Sequence, residues 1–388
     1  MLPASETGFR PAKLQGANVP SALVEKVDEF ASRLAETLVE RGENLYQGMP
    51  SDADSRLAYQ RMGRAGMIGL HWPTQLGGQG MDPLDTVSAE ECFGYHWLPL
   101  SGYLLSVKTI GNALLRFAGA DLAHRFLPEI AAGEVTFCQG FSEPGAGSDL
   151  AALRTRATIQ GDRFVVRGRK IWTSGVEYAD YIYLAARTGT EARHRGLSVM
   201  VVDIQSPGIE ISTHKTLGGG TLGEVSFQDV EVPRRNLVGD LNAGWKVLLG
   251  TLDFERITSE KIGVVRRLLE QLEPYCTSTS QRLALRRLRG EADAARSLGR
   301  RATELLTRGL SSSSASSMAK LSVAQLMQTL AGFSVEVLGP RALIERGGGG
   351  PADGRFAAFH RACVATTISG GASDIQRRVI ARQGMGRP

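Results

Sequence analysis

The sequence predicts an α+β chain in which helical segments flank a central β block. Apolar residues recur every three or four positions in the first and last parts of the 388-residue chain, as they do in amphipathic helices. Between these parts, short β-branched runs separated by turn residues are typical of strands. Because helices and strands are segregated along the chain, this order argues against an alternating α/β sheet. We expect three domains, at 1–134, 135–238 and 239–388.

Each block carries its own local signals. N-terminal helices are predicted in "SALVEKVDEFASRLAETLVERGENLY" and "SDADSRLAYQRMGRAGMIGL", before the Gly- and Pro-rich connection "HWPTQLGGQGMDP". Strands are predicted in "VTFCQGFSEPGAGSD", "ALRTRATIQGDRFVVRGRKIWTS", "ADYIYLAART", "GLSVMVVDI" and "EVSFQDVEVP", with a hairpin turn in "IQGDRFV". Helices return from about Asn242, and the runs at 311–317 ("SSSSASS") and 345–354 ("ERGGGGPADG") are predicted to be loops.

Composition and charge exclude several classes of function. The net charge is only +5, and the densest basic run, "QRLALRRLRGEADAAR", has leucines at helical spacing. We therefore predict a solvent-exposed helix face there, with no binding to nucleic acid. The four cysteines and six histidines show no metal-ligand spacing, and no metal is predicted. No run of about 18 apolar residues is present, so we expect a cytoplasmic protein without membrane insertion.

The densest cluster of functional signals is "FCQGFSEPGAGSDLAALRTRA", at 137–157. Its glycines allow a backbone to approach a ligand closely, and its serines offer hydroxyl groups. Further along, "GRKIWTSG" places Trp172 just before Ser174 at the end of a predicted strand. Taken alone, Trp172 is better explained by core packing, but the two motifs in one β block favour a flat aromatic cofactor. "GGGTLG" at 218–223 matches a dinucleotide-binding pattern, but a strand-like run follows it where a helix is required, so we interpret it as a loop.

Several motifs in one order resemble the acyl-CoA dehydrogenase family over nearly the whole chain. They are "HWPTQLGGQG", "SEPGAGSDLA", "KIWTSG", "DVEVPRRNLVG", "DFER" and "SGGASDIQRRVIAR". The resemblance implies a middle β-barrel or sandwich domain and a C-terminal four-helix bundle. It also implies non-covalent FAD and the α,β-dehydrogenation of an acyl-CoA, or of a carrier-protein thioester, to the trans-2-enoyl product. "FCQGFSEPGAGSDL" together with "LGPRALI" resembles a bacterial branch that often takes bulky or unusual acyl groups.

The resemblance also implies which residues line the cofactor and the substrate. Trp172 would pack on the isoalloxazine ring, and Ser174 would bond near its N5 atom. Ser148, Asp253 and Arg256 would lie along the path of the pantetheine and acyl chain. The residues implied at the flavin are Gln139, Phe141, Ser142, Gly147, Ser148, Trp172, Ser174, Glu336, Gly339, Ala372 and Asp374.

The implied reaction needs a base for the α-proton of the thioester, and we predict that Glu255 is this base. Many family members carry the base as a Glu in a C-terminal segment that reads "GGASDIQR" here, so Gly370 holds the place of that acid. Glycine cannot take a proton, and its small size leaves room in the substrate pocket for a bulky acyl group. A minority of the family instead uses a Glu on the helix of the "DFER" motif.

Periodicity gives a separate reason to single out Glu255. If the helix is continuous, an apolar stripe on it comprises Trp245, Leu248, Leu252 and Ile262. Glu255 falls within this stripe, where a carboxylate is costly unless it has a partner or a function. From periodicity alone, a surface-exposed Glu255 is an equally good interpretation.

Three departures from the family pattern leave more than one function open. The segment "LEQLEPYCTSTSQRLALRR" lacks an R-x-x-F-G motif that contacts the FAD of a neighbouring subunit in many relatives. Glu336 and Pro340 replace residues of a second such contact, and Ala372 and Asp374 replace the usual Thr and Gln or Glu. The chain is therefore a self-sufficient dehydrogenase, a non-catalytic or half-site subunit of a hetero-oligomeric one, or a flavin oxidase or monooxygenase. We expect a homodimer or homotetramer, with a hetero-oligomer as the alternative, and an electron-transfer flavoprotein as acceptor.

Overall fold

Helices form the first part of the chain in the computed structural model, which describes residues 22–40, 52–191 and 193–384. The helices are α1 (Ala22–Glu40), α2 (Asp52–Arg64), α3 (Pro83–Tyr95), α4 (Ser101–Tyr103), a π-helix (Leu104–Gly111), α5 (Asn112–Phe117) and α6 (Ala120–Ala131). The Asp82 side chain accepts a hydrogen bond from Leu84 N at 2.7 Å, and Pro83 occupies the first turn of α3, so this start follows the usual capping rules. The part of the predicted first helix beyond Glu40 lies outside the described residues.

The middle of the chain forms one eight-stranded sheet. The strands are β1 (Phe137–Gly140), β2 (Arg156–Gln160), β3 (Arg163–Ser174), β4 (Tyr181–Arg187), β5 (Leu197–Asp203), β6 (Ile209–Lys215), β7 (Thr221–Pro233) and β8 (Leu237–Val238). Their order in the sheet is β6-β7-β3-β2-β4-β5-β8, and β1 pairs in parallel with β4. Buried side chains of β3, β4, β5 and β7 share one apolar core, including Phe164, Val166 and Val202.

Most of the predicted strands are confirmed, and two, β6 and the two-residue β8, were missed. Strands β2 and β3 form the predicted hairpin, in which Gln160 pairs with Arg163 and Gly161 takes a φ of +59°. The "GGGTLG" run leads into β7 and opens no helix. Strand β6 was not predicted because its side chains are almost all exposed and carry no apolar alternation. It is an edge strand that antiparallel pairing with β7 holds in place.

Helices form the last part of the chain. They are α7 (Gly244–Glu255), α8 (Ser259–Leu272), α9 (Thr279–Thr307), α10 (Ser313–Leu338), α11 (Arg355–Cys363) and α12 (Ser373–Gly384). A capping box formed by Ser278 and Gln281 starts α9, whose Leu285 and Leu288 are buried while Arg286 faces solvent. The basic run of α9 therefore lies on a solvent-exposed helix face, as predicted. The element type changes between residues 131 and 137 and again between 238 and 244, and the domain limits predicted nearby stay a prediction.

Two helix predictions are wrong in detail. The "SSSSASS" run is a loop only at its start, because α10 begins at Ser313. The hydroxyls of Ser313 and Ser316 donate to Asp253 on α7, so a long-range contact overrides the loop preference of a serine run. The helix that carries Glu255 also ends there, and Ile262 lies on α8, so it does not belong to the proposed stripe.

One helical stretch within the described residues, 313–343, is long and apolar enough by composition to cross a membrane. Half of its most apolar window is buried, as expected for a core helix of a bundle, so this is weak evidence for a membrane span. The four cysteines, Cys92, Cys138, Cys276 and Cys363, are all buried and free.

Candidate active site

The loop that follows β1 presents open backbone to its surroundings. Gly145 and Gly147 are exposed, and a Cβ added at either position would meet no atom within 4 Å. Glu143 and Ala146 exchange two backbone hydrogen bonds of 3.0 Å, which close the loop into a tight turn. Successive N–H groups in such a turn form a concave surface suited to the polar edge of a ligand. The space beside this loop is therefore accessible to a bound group.

A buried ion pair that the sequence did not reveal holds this loop against the sheet. The carboxylate of Glu143 accepts hydrogen bonds from Arg154 N at 2.6 Å, Thr155 N at 2.8 Å and Lys170 Nζ at 2.8 Å. Lys170, on β3, also donates to the carbonyl of Phe141 at 3.0 Å and is fully buried. The sequence contained one signal that Lys170 is buried. In the alternation of side chains along β3, Lys170 lies on the same inward-facing side as Phe164.

The pKa values of Glu143 and Lys170 are both shifted from their ordinary values. Burial would raise the pKa of Glu143, but the Lys170 ammonium and the N–H donors outweigh it and lower that pKa. Burial lowers the pKa of Lys170 to about 8, against the opposing attraction of Glu143. Glu143 is thus an ionised carboxylate with its acceptor sites used, which is the state expected of a structural group.

Trp172 and Ser174 lie at the end of β3, as predicted. The Trp172 side chain is 65% exposed, and its φ of +59° is rare for a bulky residue. The pairing of β3 with β7 shifts register between Lys170 and Thr173, which gives the strand an irregularity at this position. A strained, exposed tryptophan indicates a functional role better than it indicates core packing.

Glu255 ends α7, close to a turn that contains two glycines. A Cβ added at Gly370 would lie 3.5 Å from Glu255 Oε1, so this turn covers the carboxyl group closely. Glu255 keeps some accessible surface, but its carboxyl lies deep among protein atoms, and burial raises its pKa. The charges of Arg256, Lys261 and Lys320 and a hydrogen bond from Gln139 oppose this rise without cancelling it.

Gln139 connects the β block to this carboxyl group. It lies on β1, directly before the glycine-rich loop, and its side chain favours the ionised form of Glu255. The geometry of that hydrogen bond is poor, since the buried Gln139 Nε2 has no well-formed hydrogen bond within the described part of the chain. Gln139 therefore keeps a free donor between the loop and the candidate base.

Asp253 and Arg256 lie together beside an open cavity. Asp253 accepts from Arg256 Nη1 at 3.2 Å, and the hydroxyls of Ser312 and Ser316 donate to it at 3.2 and 3.1 Å. Asp253 lines a cavity of about 190 Å³ together with Arg116, Phe117, Lys246, Gly250 and residues 309–312. The cavity thus has a buried, hydrogen-bonded carboxylate on one side and two basic side chains in its lining.

The remaining predicted flavin residues lie elsewhere on the surface of the C-terminal helices. Glu336 is exposed near the end of α10, and Gly339 follows that helix with a φ of +59°. Asp374 is exposed and pairs with Arg377 at 2.7 Å, while Ala372 is half-buried in the turn before α12. Within the described residues, no hydrogen bond or ion pair joins these four to the loop after β1. Their role at a flavin stays a prediction.

Comparisons with known proteins agree with this architecture. Models of the acyl-CoA dehydrogenase N-terminal, middle and C-terminal domains match residues 20–134, 138–230 and 242–385. The chain is 32% identical to acyl-CoA dehydrogenase FadE26 of Mycobacterium tuberculosis over 356 residues, which cover 84% of this chain and 86% of that protein.

Two solved assemblies are also similar. The structure titled Tcur3481-Tcur3483 steroid ACAD superposes with a TM-score of 0.86 at 27% identity, covering 96% of this chain and 100% of that one. The ChsE4-ChsE5 complex from Mycobacterium tuberculosis gives a TM-score of 0.82 at 29% identity, covering 97% of this chain and 100% of that one. The second title names a complex of two proteins, and the first title joins two protein names.

Proposed function

The chain belongs to the acyl-CoA dehydrogenase family, and on that premise we propose that Glu255 is the base that removes the α-proton of an acyl thioester. As a member of this family, the chain is a flavin-dependent oxidoreductase that dehydrogenates acyl thioesters. One observation carries the proposal for Glu255: its carboxyl faces Gly370, where a Cβ would be 3.5 Å from Oε1. Gly370 holds the position at which many family members carry the base. Glu255 therefore adjoins the same space as that usual base position.

The surroundings of Glu255 suit a base. Burial raises its pKa from the ordinary value of 4.5, towards the range in which a carboxylate accepts a proton effectively near neutral pH. Unlike Glu143, Glu255 keeps some accessible surface, so a substrate carbon can reach it. The nearby cations keep the ionised form accessible despite burial.

Non-covalent FAD is the cofactor that these residues fit. The exposed face of Trp172 offers a stacking surface, the space in front of Gly145 and Gly147 is open, and Gln139 Nε2 lacks a well-formed partner. Trp172 and Ser174 would hold the isoalloxazine, with Gln139, Phe141, Ser142, Gly147 and Ser148 along its edge. When bound, FAD would accept the hydride equivalent released from Cβ of the substrate.

We propose a bulky acyl group as the substrate. The glycine at position 370 leaves space beside the base, and a similar assembly is titled a steroid ACAD, so a polycyclic acyl thioester is the first candidate. Asp253 and Arg256 would lie along the pantetheine path. In the adjoining cavity, Arg116 and Lys246 complement the phosphates of either CoA or a carrier-protein arm.

A second candidate function is that of the Glu255-bearing subunit of a hetero-oligomer. Two observations favour it: the R-x-x-F-G motif is missing from the segment after α8, and the titles of both similar structures carry two protein names. A homodimer or homotetramer is the alternative assembly. An electron-transfer flavoprotein as acceptor and a cytoplasmic location remain parts of the proposal.

Purification of the chain alone, followed by anaerobic mixing with acyl-CoAs, tests these proposals. We expect a yellow protein whose flavin is bleached fastest by branched or polycyclic acyl-CoAs. Equal bleaching by short straight-chain acyl-CoAs would contradict the bulky substrate. A colourless protein that binds FAD only with a second chain would favour the hetero-oligomer, and rapid reoxidation by oxygen without an acceptor would indicate an oxidase.

A further inference from the structure

Lys320 is a buried lysine whose only hydrogen bond within the described residues goes to a neutral group. It lies in the first third of α10, and the residue is 4% exposed. Its Nζ donates to the carbonyl of Gly371 at 2.7 Å. A buried ammonium is costly without an anion close by. The acid whose charge acts on Lys320 is Glu255, which favours the charged form of the lysine.

The bond from Lys320 is one of several that fix the turn over Glu255. Gly370 and Gly371 both have positive φ, at +64° and +95°. Gln376 Nε2 donates to the carbonyls of Gly370 and Gly371 at 3.1 and 3.0 Å. Arg256 Nε donates to Gly370 at 3.4 Å. Within the part of the chain that the structure describes, Lys320 is therefore the one charged group outside the α7 segment that both holds this turn and acts on Glu255.

The other charged groups that face Lys320 have partners of their own. Arg256 is paired with Asp253 at 3.2 Å. Lys261, on α8, directly follows Glu260, and the Glu260 carboxylate is the charge that most favours the ammonium form of Lys261. Glu260 itself forms an ion pair with Lys108. From α12 the group nearest the turn is the neutral Gln376. Among the described residues, Glu255 is thus the acid whose charge favours the ammonium form of Lys320. The same carboxylate also attracts Arg256 and Lys261.

We propose that Lys320 is a positioning residue for Glu255. Its ammonium holds the Gly370–Gly371 turn against the carboxyl group, and its charge favours the ionised, proton-accepting form. The inference rests on the proposed role of Glu255. Burial and the charges of Lys261 and Arg256 lower the pKa of Lys320 to about 8 against the opposing attraction of Glu255, which agrees with an ammonium that has no carboxylate in direct contact.

The pH profile of flavin reduction distinguishes this role from a merely structural one. Lys320→Met removes a positive charge that lowers the pKa of Glu255, so the acid limb of the anaerobic reduction rate should move to higher pH by a fraction of a pH unit. Lys320→Arg keeps the positive charge, so the acid limb should stay at the wild-type pH. Lys215→Met removes a lysine from the exposed strand β6 and is the matched control, which should also leave the limb in place. A lower rate with an unmoved limb in Lys320→Met would overturn the proposal.

A double-mutant cycle tests the same pair without substrate. Lys320→Met removes one of the positive charges near the Glu255 carboxylate, so adding Glu255→Gln should raise the unfolding temperature more in this variant than in the wild type. Additive shifts would overturn the pairing while leaving Glu255 free to act as base. If the shifts in unfolding temperature are not additive but Glu255→Gln still reduces its flavin at the wild-type rate, Lys320 and Glu255 interact, and Glu255 is not the base. If Lys320→Met yields no folded protein, Lys320→Gln takes its place, because it keeps a donor and removes the charge.

Discussion

Two carboxylates of the candidate active site, Glu143 and Glu255, have opposite surroundings. Glu143 is closed off from solvent and accepts three hydrogen bonds, two from backbone N–H groups and one from Lys170. Glu255 keeps some accessible surface; within the described residues it receives only a poor hydrogen bond from Gln139 and has cations nearby without a direct ion pair. As a result, the pKa of Glu143 is lowered and that of Glu255 is raised.

This difference separates a structural carboxylate from a reactive one. A carboxylate whose acceptor sites are filled by donors is stabilised in its ionised form, so its pKa falls. A carboxylate that lies among protein atoms with few donors is stabilised in its protonated form, so its pKa rises. The same substitution, Glu to Gln, should therefore have opposite consequences at positions 143 and 255.

The largest expected effect on stability is that of Glu143→Gln. The substitution keeps the shape of the side chain but leaves Lys170 as a buried cation without its counter-ion, which costs about 3–5 kcal/mol of unfolding free energy. Chemical denaturation would measure this loss, and weaker retention of FAD should accompany it. Glu255→Gln is the matched variant, and it should not be destabilised at neutral pH. Equal losses in the two variants would remove the distinction between the carboxylates.

Alanine substitutions in the glycine turn over Glu255 should have an intermediate effect on stability. Alanine at position 370 takes an unfavourable positive φ, costing about 1–2 kcal/mol, and its Cβ stays in ordinary contact with Glu255. Alanine at 371, where φ is +95° and lies outside the left-handed helical region, costs at least as much, and its Cβ would also lie 2.4 Å from Gln376 Nε2, which bonds both turn carbonyls. Gly371→Ala should therefore be less stable than Gly370→Ala by about 1–3 kcal/mol. The reverse order in urea denaturation would show that Gln376 does not hold the turn.

The smallest expected effect is the pH dependence of stability in Glu255→Gln. Since the folded-state pKa of Glu255 lies above 4.5, the wild-type carboxyl contributes stability below pH 4.5 and loses it as pH rises through the folded pKa. Glu255→Gln should thus have the higher unfolding temperature at pH 8, and the difference should vanish below pH 4.5. For Glu143 the sign is opposite, because its contribution is present above pH 4.5 and is lost as pH falls. Parallel pH curves for wild type and Glu255→Gln would contradict the raised pKa.

Local patterns were enough to predict the order of the blocks and part of the site. The β2–β3 hairpin and the place of Trp172 at the end of β3 follow from turn chemistry and strand alternation over a few residues. The break between α7 and α8 was missed, because the apolar period continues across it. Lys170 and Lys320 were also missed. Each is far in sequence from Glu143 or Glu255, and only the packing of separate elements brings them together.

Anaerobic reduction of the bound flavin in Glu255→Gln tests the central claim most directly. With the most effective acyl-CoA from the substrate panel, Glu255→Gln should retain its FAD and reduce it at least about 100-fold more slowly than wild type, as expected when a general base is lost. Glu25→Gln, at an exposed position on α1, should behave as wild type. Flavin reduction at the wild-type rate in a folded, FAD-bound Glu255→Gln protein would contradict the assignment of Glu255 as the base.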